Sequence, residues 1–144
     1  AVATAEFGEK IFVGDAAGFP KPTSGGGIYT GVRSARHAAR VAAECCESGR
    51  FDDDALRSYE SAWKKDFGHE LEVGMRLLSL RRRMSDGELD GILARLNDPG
   101  ILAAIVQYGD MDRPSRLLRQ LAGRPGLIRI LGTLFRAGVR ADPH

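Results

Sequence analysis

Two short runs near the start of the chain carry residue types suited to binding chemistry. The first is Gly14-Asp15, which closes the apolar run Ile11-Phe12-Val13. The second is Gly25-Gly26-Gly27, followed by Ile28. From Val13 to Gly31 there are six glycines in nineteen positions. Gly14 frees the backbone for a tight turn or a close approach. Asp15, at the end of a strand, can accept hydrogen bonds from sugar or ribityl hydroxyls. Three glycines ahead of a helix leave its first amides uncovered, and that end of a helix favours negative charge. Aimed at the N1–C2=O2 edge of a flavin, fixed amide donors would stabilise the electron-rich reduced ring. Each piece alone has a plain structural reading. Asp15 would then cap a turn, and the glycines would form a flexible joint. Both together, in this order between a strand and a helix, are much more specific.

The elements that must position these residues follow from the pattern. Glu9 to Val13 reads as one short strand. Pro20 and Pro22 exclude regular pairing in the loop from Ala16 to Ser24. A helix is expected from about Gly26 to Ser48, with Gly49 as its stop. Ala35, Ala38, Ala39, Ala42 and Ala43 make it slim enough to pack close to a neighbour. Asp52 to Asp54 mark the next helix start. Leu56, Tyr59, Trp63, Phe67, Leu71, Met75 and Leu78 then follow at steps of three and four, the apolar face of one long helix to about Arg83. Such a stripe is core far more often than a cofactor box. Ser85 and Glu88 have the spacing of a capping box, and a helix to about Leu96 is expected after them. Pro99, Pro114 and Pro125 each suit the first position of a further helix. The expected fold class is mainly α, one short strand followed by about six helices. A lone strand leaves backbone groups unpaired. Its partner must come from the N-terminus doubling back or from another chain.

Composition narrows the class. The 144 residues are 43% hydrophobic and 28% charged, as in an ordinary soluble domain. No apolar run approaches the roughly 20 residues needed to span a bilayer. The first residues lack the pattern of a signal peptide. The net charge is +2, but the final stretch from Met111 carries seven Arg against two Asp. That basic tail suits either a solvated helix face or an anionic surface. Cys45 and Cys46 are adjacent, a poor geometry for a disulfide, and suit a reducing compartment. His37, His69 and His144 lack metal-ligand spacing, so no metal is expected; His37 and His69 read as helix-surface or packing residues.

The run Val13-Gly14-Asp15-Ala16-Ala17-Gly18, then Pro22, then Gly25-Gly26-Gly27-Ile28, resembles the C-terminal flavin motif of the geranylgeranyl reductase family. These are FAD-dependent oxidoreductases of the para-hydroxybenzoate hydroxylase type. Leu56-Arg57-Ser58-Tyr59-Glu60 with Trp63 is similar to the family's helix after that motif. Met84 to Asp90 and Tyr108 to Asp112 resemble its C-terminal helical region. The resemblance covers the chain from about residue 10 onward. It implies the C-terminal part of an α/β FAD-binding fold, with residues 1–50 as the last strand-loop-helix of the FAD domain and 51–144 as a helical region. It further implies that Asp15 contacts the ribityl or pyrophosphate region of FAD and that Gly25, Gly26, Gly27 and Ile28 lie along the isoalloxazine edge, with Gly14, Ala16 and Pro22 as further cofactor-binding residues. The implied reaction is reduction of isoprenoid double bonds in a prenylated lipid or pigment, with NAD(P)H or ferredoxin as electron donor.

The strand–G-x-G-x-x-G–helix unit that holds the ADP part of FAD is absent from this sequence. The chain is therefore expected to need an N-terminal FAD-binding portion and to be inactive alone. No catalytic residue stands out; Lys21, Tyr29 and Asp15 are the nearby polar candidates for a proton donor. The expected location is cytoplasmic, with peripheral membrane association as an added reading. Two alternatives stay open. The motif also suits another flavin enzyme, such as a monooxygenase, a halogenase or an electron-transfer-flavoprotein dehydrogenase. The basic tail suits a non-catalytic helical interaction module on anionic membrane. Nucleic acid is not an expected partner, because the basic residues lack a stacking platform or recognition motif.

Overall fold

The structure, a computed structural model, describes residues 6–7, 10–122 and 132. The helix expected after Pro125, with Arg129, Arg136 and Arg140, lies outside the described residues, as does His144. The expected strand is shorter than its apolar run and has a partner. β1 (Glu6–Phe7) and β2 (Lys10–Ile11) pair antiparallel, Glu6 opposite Ile11 and Phe7 opposite Lys10. The N-terminal segment thus doubles back, and the described residues hold two strands where one was expected. Phe12 and Val13 leave the ladder and are exposed.

A 3-10 turn, Gly14–Ala17, follows. α1 spans Ile28–Ser48 and stops at Gly49, whose φ of 67° is the left-handed C-cap glycine favours. It begins two residues later than expected, because Gly26 belongs to the preceding loop and Gly27 is the N-cap. Asp52 caps α2 (Asp53–Trp63) by accepting from the Ala55 amide at 2.9 Å. The long apolar stripe is not one α-helix. α2 runs into a π-helical turn at Lys64–Gly68 and then into α3 (His69–Arg82). α4 is Asp86–Leu96, α5 is Pro99–Tyr108 and α6 is Pro114–Leu121. Each of these three begins where its capping serine or proline places it, and both hydrogen bonds of the Ser85/Glu88 capping box are formed.

Contacts gather into two compact units, Ala1–Glu72 and Val73–His144. In the first, α1 and α2 close over Phe19, Val41, Cys45, Leu56, Tyr59, Trp63 and Phe67. Phe19 comes from the glycine-rich loop itself and is fully buried. Its ring lies 4.7 Å from Trp63 and 5.3 Å from Phe67, edge-on to the latter. Such offset aromatic pairs add about 0.5–1.5 kcal/mol beyond their buried area. In the second unit Ile101, Ala104 and Leu121 form a small core, flanked by Ile92, Leu96 and Leu117.

One expectation about a helix face is corrected. Met75 is exposed, not core. Successive steps of four drift about 40° each around a helix of 3.6 residues per turn. The wider π turn accommodates that drift between Trp63 and Leu71, and Met75 falls off the face beyond it. On α1, only Ala38 of the five alanines packs against the core; Ala35, Ala39, Ala42 and Ala43 are exposed. The buried face is instead Thr30, Ser34, Val41 and Cys45.

Candidate functional site

The two glycine runs are brought together at the start of α1. Gly14 takes φ +56°, and a Cβ there would stand 3.5 Å from the Gly31 Cα. Of the two tasks considered for Gly14 the unusual turn is met, whereas a Cβ at that distance from Gly31 would make only ordinary contact. Its amide donates to Ser34 Oγ at 3.0 Å, and the Ser34 hydroxyl donates to the Gly31 carbonyl at 2.9 Å. The turn is thereby fastened to α1 by a serine with no exposed surface. Phe12, just upstream, is held by its carbonyl, which accepts from the Tyr59 hydroxyl at 2.7 Å. Burial pushes the Tyr59 hydroxyl up to about 12, against a smaller opposing effect of a hydrogen bond with Ser34.

Asp15 is exposed in the turn and lies against Gly27. A side chain at Gly27 would collide with the Asp15 carboxylate. Glycine at 27 is therefore what allows a carboxylate and a helix start to share this space. Among the described residues no side chain caps the amides at the start of α1. The Thr30 hydroxyl donates to the Gly27 carbonyl at 3.2 Å, which braces the first turn. The loop between the two runs closes on itself. The Lys21 amide donates to the Gly26 carbonyl at 3.0 Å, and the Gly25 amide to the Lys21 carbonyl at 2.8 Å. Gly25 adopts φ +71° to make that closure.

Of the other expected residues, Ala16 is exposed in the turn, Pro22 is half-buried in the loop, and Ile28 is 87% exposed. Gly14, Asp15 and Gly27 thus form one constellation, and Gly25 and Gly26 shape the loop leading to it. Ser34, Phe19 and Tyr59 hold the constellation in place and were not singled out as site residues. Only Ser34 had a positional signal, being one helical turn beyond Gly31. Among the described residues no group of His, Cys, Asp or Glu could hold a metal ion. No helix among them is long and apolar enough to cross a membrane.

An acidic glycine turn shortly after a strand and the start of a long helix thus stand together at the residues that carry the family resemblance. The chain is a relative of the C-terminal part of proteins in the geranylgeranyl reductase family. It is 38% identical, over 84% of its length, to digeranylgeranylglycerophospholipid reductase 2 of Methanothermobacter thermautotrophicus, and covers 29% of that protein. An uncharacterized protein of Methanocaldococcus jannaschii is 35% identical over 74% of the chain, which covers 27% of it. Digeranylgeranylglycerophospholipid reductase 2 of Methanopyrus kandleri is 30% identical over 66% of the chain, which covers 24% of it. The chain thus spans less than a third of the length of these relatives. No family model and no solved structure matches it.

Proposed function

We propose that the chain is the C-terminal part of a flavin-dependent reductase that saturates isoprenoid double bonds, of the geranylgeranyl type, in a prenylated lipid or pigment. What carries this reading is Asp15 set against Gly27 at an uncapped helix start, in a chain whose relatives are named as reductases of a geranylgeranyl lipid. The exposed Asp15 carboxylate lies where a side chain at 27 would stand and can turn outward toward a ligand, and among the described residues the first amides of α1 have no side-chain acceptor. Both features fit FAD. Gly14, Asp15 and Ala16 would hold its ribityl or pyrophosphate part, with Asp15 accepting from hydroxyls. Pro22, Gly25, Gly26, Gly27 and Ile28 would border the ring, and the helix amides would favour negative charge on it. Bound FAD, reduced by NAD(P)H or ferredoxin, would supply the hydride for saturation. Residues 1–50 would complete the FAD domain, and 51–144 would form the helical region.

An N-terminal FAD-binding portion would cover what this chain leaves open. Ile28, Val32, Ala35, Ala39 and Ala42 recur at steps of three and four along the exposed side of α1. An uncovered apolar face of that length is what a partner element is expected to bury. The chain alone is then inactive. The test is titration with FAD, followed by flavin absorbance and fluorescence, of this chain and of a longer protein that includes the upstream coding region. Binding by the longer protein alone is the expected result. Binding by neither overturns the flavin reading.

A second reading concerns peripheral membrane contact by a cytoplasmic protein. Leu102 and Val106 share one exposed face of α5, and Leu93 and Met111 are also exposed. Arg116 and Arg119 are exposed on α6. Apolar side chains with arginines nearby suit an anionic lipid surface. Co-sedimentation should be stronger with anionic than with neutral vesicles; equal recovery would remove this reading.

A further inference from the structure

α1 presents three faces, each at its own angle around the axis, at about 100° per residue. One is buried, one is the exposed apolar stripe, and the third is cationic. Arg33, Arg36, His37 and Arg40 make up the third, within an arc of about 100°. They line a cavity of about 290 Å³ whose remaining wall is Asp66, from the π turn.

The charges there are unevenly matched. Arg33 donates through Nε to Asp66 Oδ2 at 2.8 Å and through Nη2 to Asp66 Oδ1, a bidentate fork. His37 Nε2 lies 2.8 Å from Asp66 Oδ2. One carboxylate, with 14% of its side chain exposed, thus orients two of the four basic groups. Arg36 has no ion-pair partner among the described residues, and Arg40 meets only Glu44, at 3.9 Å on the exposed surface. The lining holds three guanidinium groups and an imidazole against one carboxylate. A surface ion pair at such a distance holds a side chain weakly, so Arg36 and Arg40 are available to a ligand. Arg33 is held in one orientation and keeps the unused donors of its fork.

We infer that this cavity is a binding site for a phosphate ester, seated between Arg36, Arg40 and the free edge of Arg33. Guanidinium groups match phosphate geometry and bind it through paired, charge-assisted hydrogen bonds. A phosphate monoester carries up to two negative charges, which complements the excess on the lining. Asp66 opposes the ligand electrostatically, but its charge is already engaged by Arg33 and His37. The site lies on the cationic face of α1, separate from the Asp15–Gly27 constellation, and does not depend on the flavin reading.

The test uses the 144-residue chain and two probes, inorganic phosphate and glycerol phosphate, titrated by calorimetry at low and at physiological salt. Saturable binding is expected, weakening with salt. Arg36→Ala and Arg40→Ala should each weaken it about tenfold, the scale of one lost charge-assisted hydrogen bond. Arg57→Ala, on the exposed side of α2, should leave it unchanged, and circular dichroism should show unchanged helix content in all three variants. Tighter binding of glycerol phosphate than of inorganic phosphate would assign the site to an esterified headgroup; equal binding would assign it to free phosphate. Absence of binding by the unaltered chain overturns the inference. So does binding that Arg36→Ala and Arg40→Ala leave intact, or that Arg57→Ala weakens equally.

Discussion

Ser34 accepts from the Gly14 amide and donates to the Gly31 carbonyl in a space without water access. In Ser34→Ala the Gly14 amide would lose its acceptor. An unsatisfied buried donor costs about 1–3 kcal/mol, so a loss of that size in urea unfolding is expected. A change below about 0.5 kcal/mol, the usual range for surface substitutions, would mean that the turn is not fastened through this hydroxyl. Gly27 sets a different constraint. Gly27→Ala drives a methyl group into the Asp15 carboxylate, so part of its destabilisation should vanish when Asp15 is also replaced by alanine. Thermal unfolding of the two single variants and the double variant should show a coupling of at least about 0.5 kcal/mol. Strict additivity would separate the two residues. The turn at Gly14 was legible in the sequence, because a glycine closing an apolar run marks a break; that glycine at 27 makes room for Asp15 was not, because the contact joins residues twelve apart. Nor was the role of Ser34. A serine among helical alanines gives no sign of which backbone group it will meet.

Helix starts were the most legible elements, because each depends on chemistry within four residues. Ser85 is the clearest case. Ser85→Ala removes the acceptor of the Glu88 amide and the hydroxyl donor to the Glu88 carboxylate, leaving the backbone donor at 85 in place. Loss of an N-cap of this kind costs about 1 kcal/mol. Slower-protected amides in the first turn of α4 should become faster to exchange with deuterium, and unchanged protection would show that the cap contributes nothing. The π turn was less legible. The apolar spacing from Tyr59 to Leu71 contains three consecutive steps of four, which an α-helix holds on one face only by drifting. The chain resolves this with five residues of wider helix, and the same turn carries Asp66 to Arg33 and His37. Periodicity gave the existence of the stripe, whereas the tertiary fit of Phe67 beside Phe19 decided its local form. The strand pairing was illegible for another reason: two residues on each side carry too little pattern to define a register.

At the scale of the whole molecule, buried ionisable groups limit stability at both ends of the pH range. Burial pushes the Asp66 carboxyl up, but hydrogen bonds from Arg33 and His37 outweigh it and hold the group below the ordinary carboxylate range. Its contribution is therefore present above that ordinary range and is lost as pH falls through the lowered value. Asp66→Asn should flatten the acid limb of the stability profile; an unchanged limb would assign acid unfolding to other carboxylates. Tyr59 acts at the alkaline end. With a folded value of about 12 against an ordinary 10.0, the unfolded chain gives up this proton first. Its contribution is complete below pH 10 and falls between there and about 12, by at most roughly 1.4 kcal/mol per pH unit. Tyr59→Phe should remove that part of the slope in urea unfolding at successive alkaline pH values, and an equal slope would show that other groups produce it.

The sequence has a single tryptophan, and the fold places it where the glycine-rich loop docks. Trp63 is 3% exposed, its ring packs against both Phe19 and Phe67, and its Nε1 has no hydrogen-bond partner among the described residues. Such an indole emits at short wavelength only while Phe19 stays seated. The loop carrying Phe19 also carries Gly25 and Gly26. The molecule therefore contains its own optical reporter: anything that lifts or tightens the loop changes the colour of the light this one residue gives back, and no added dye is needed to see it.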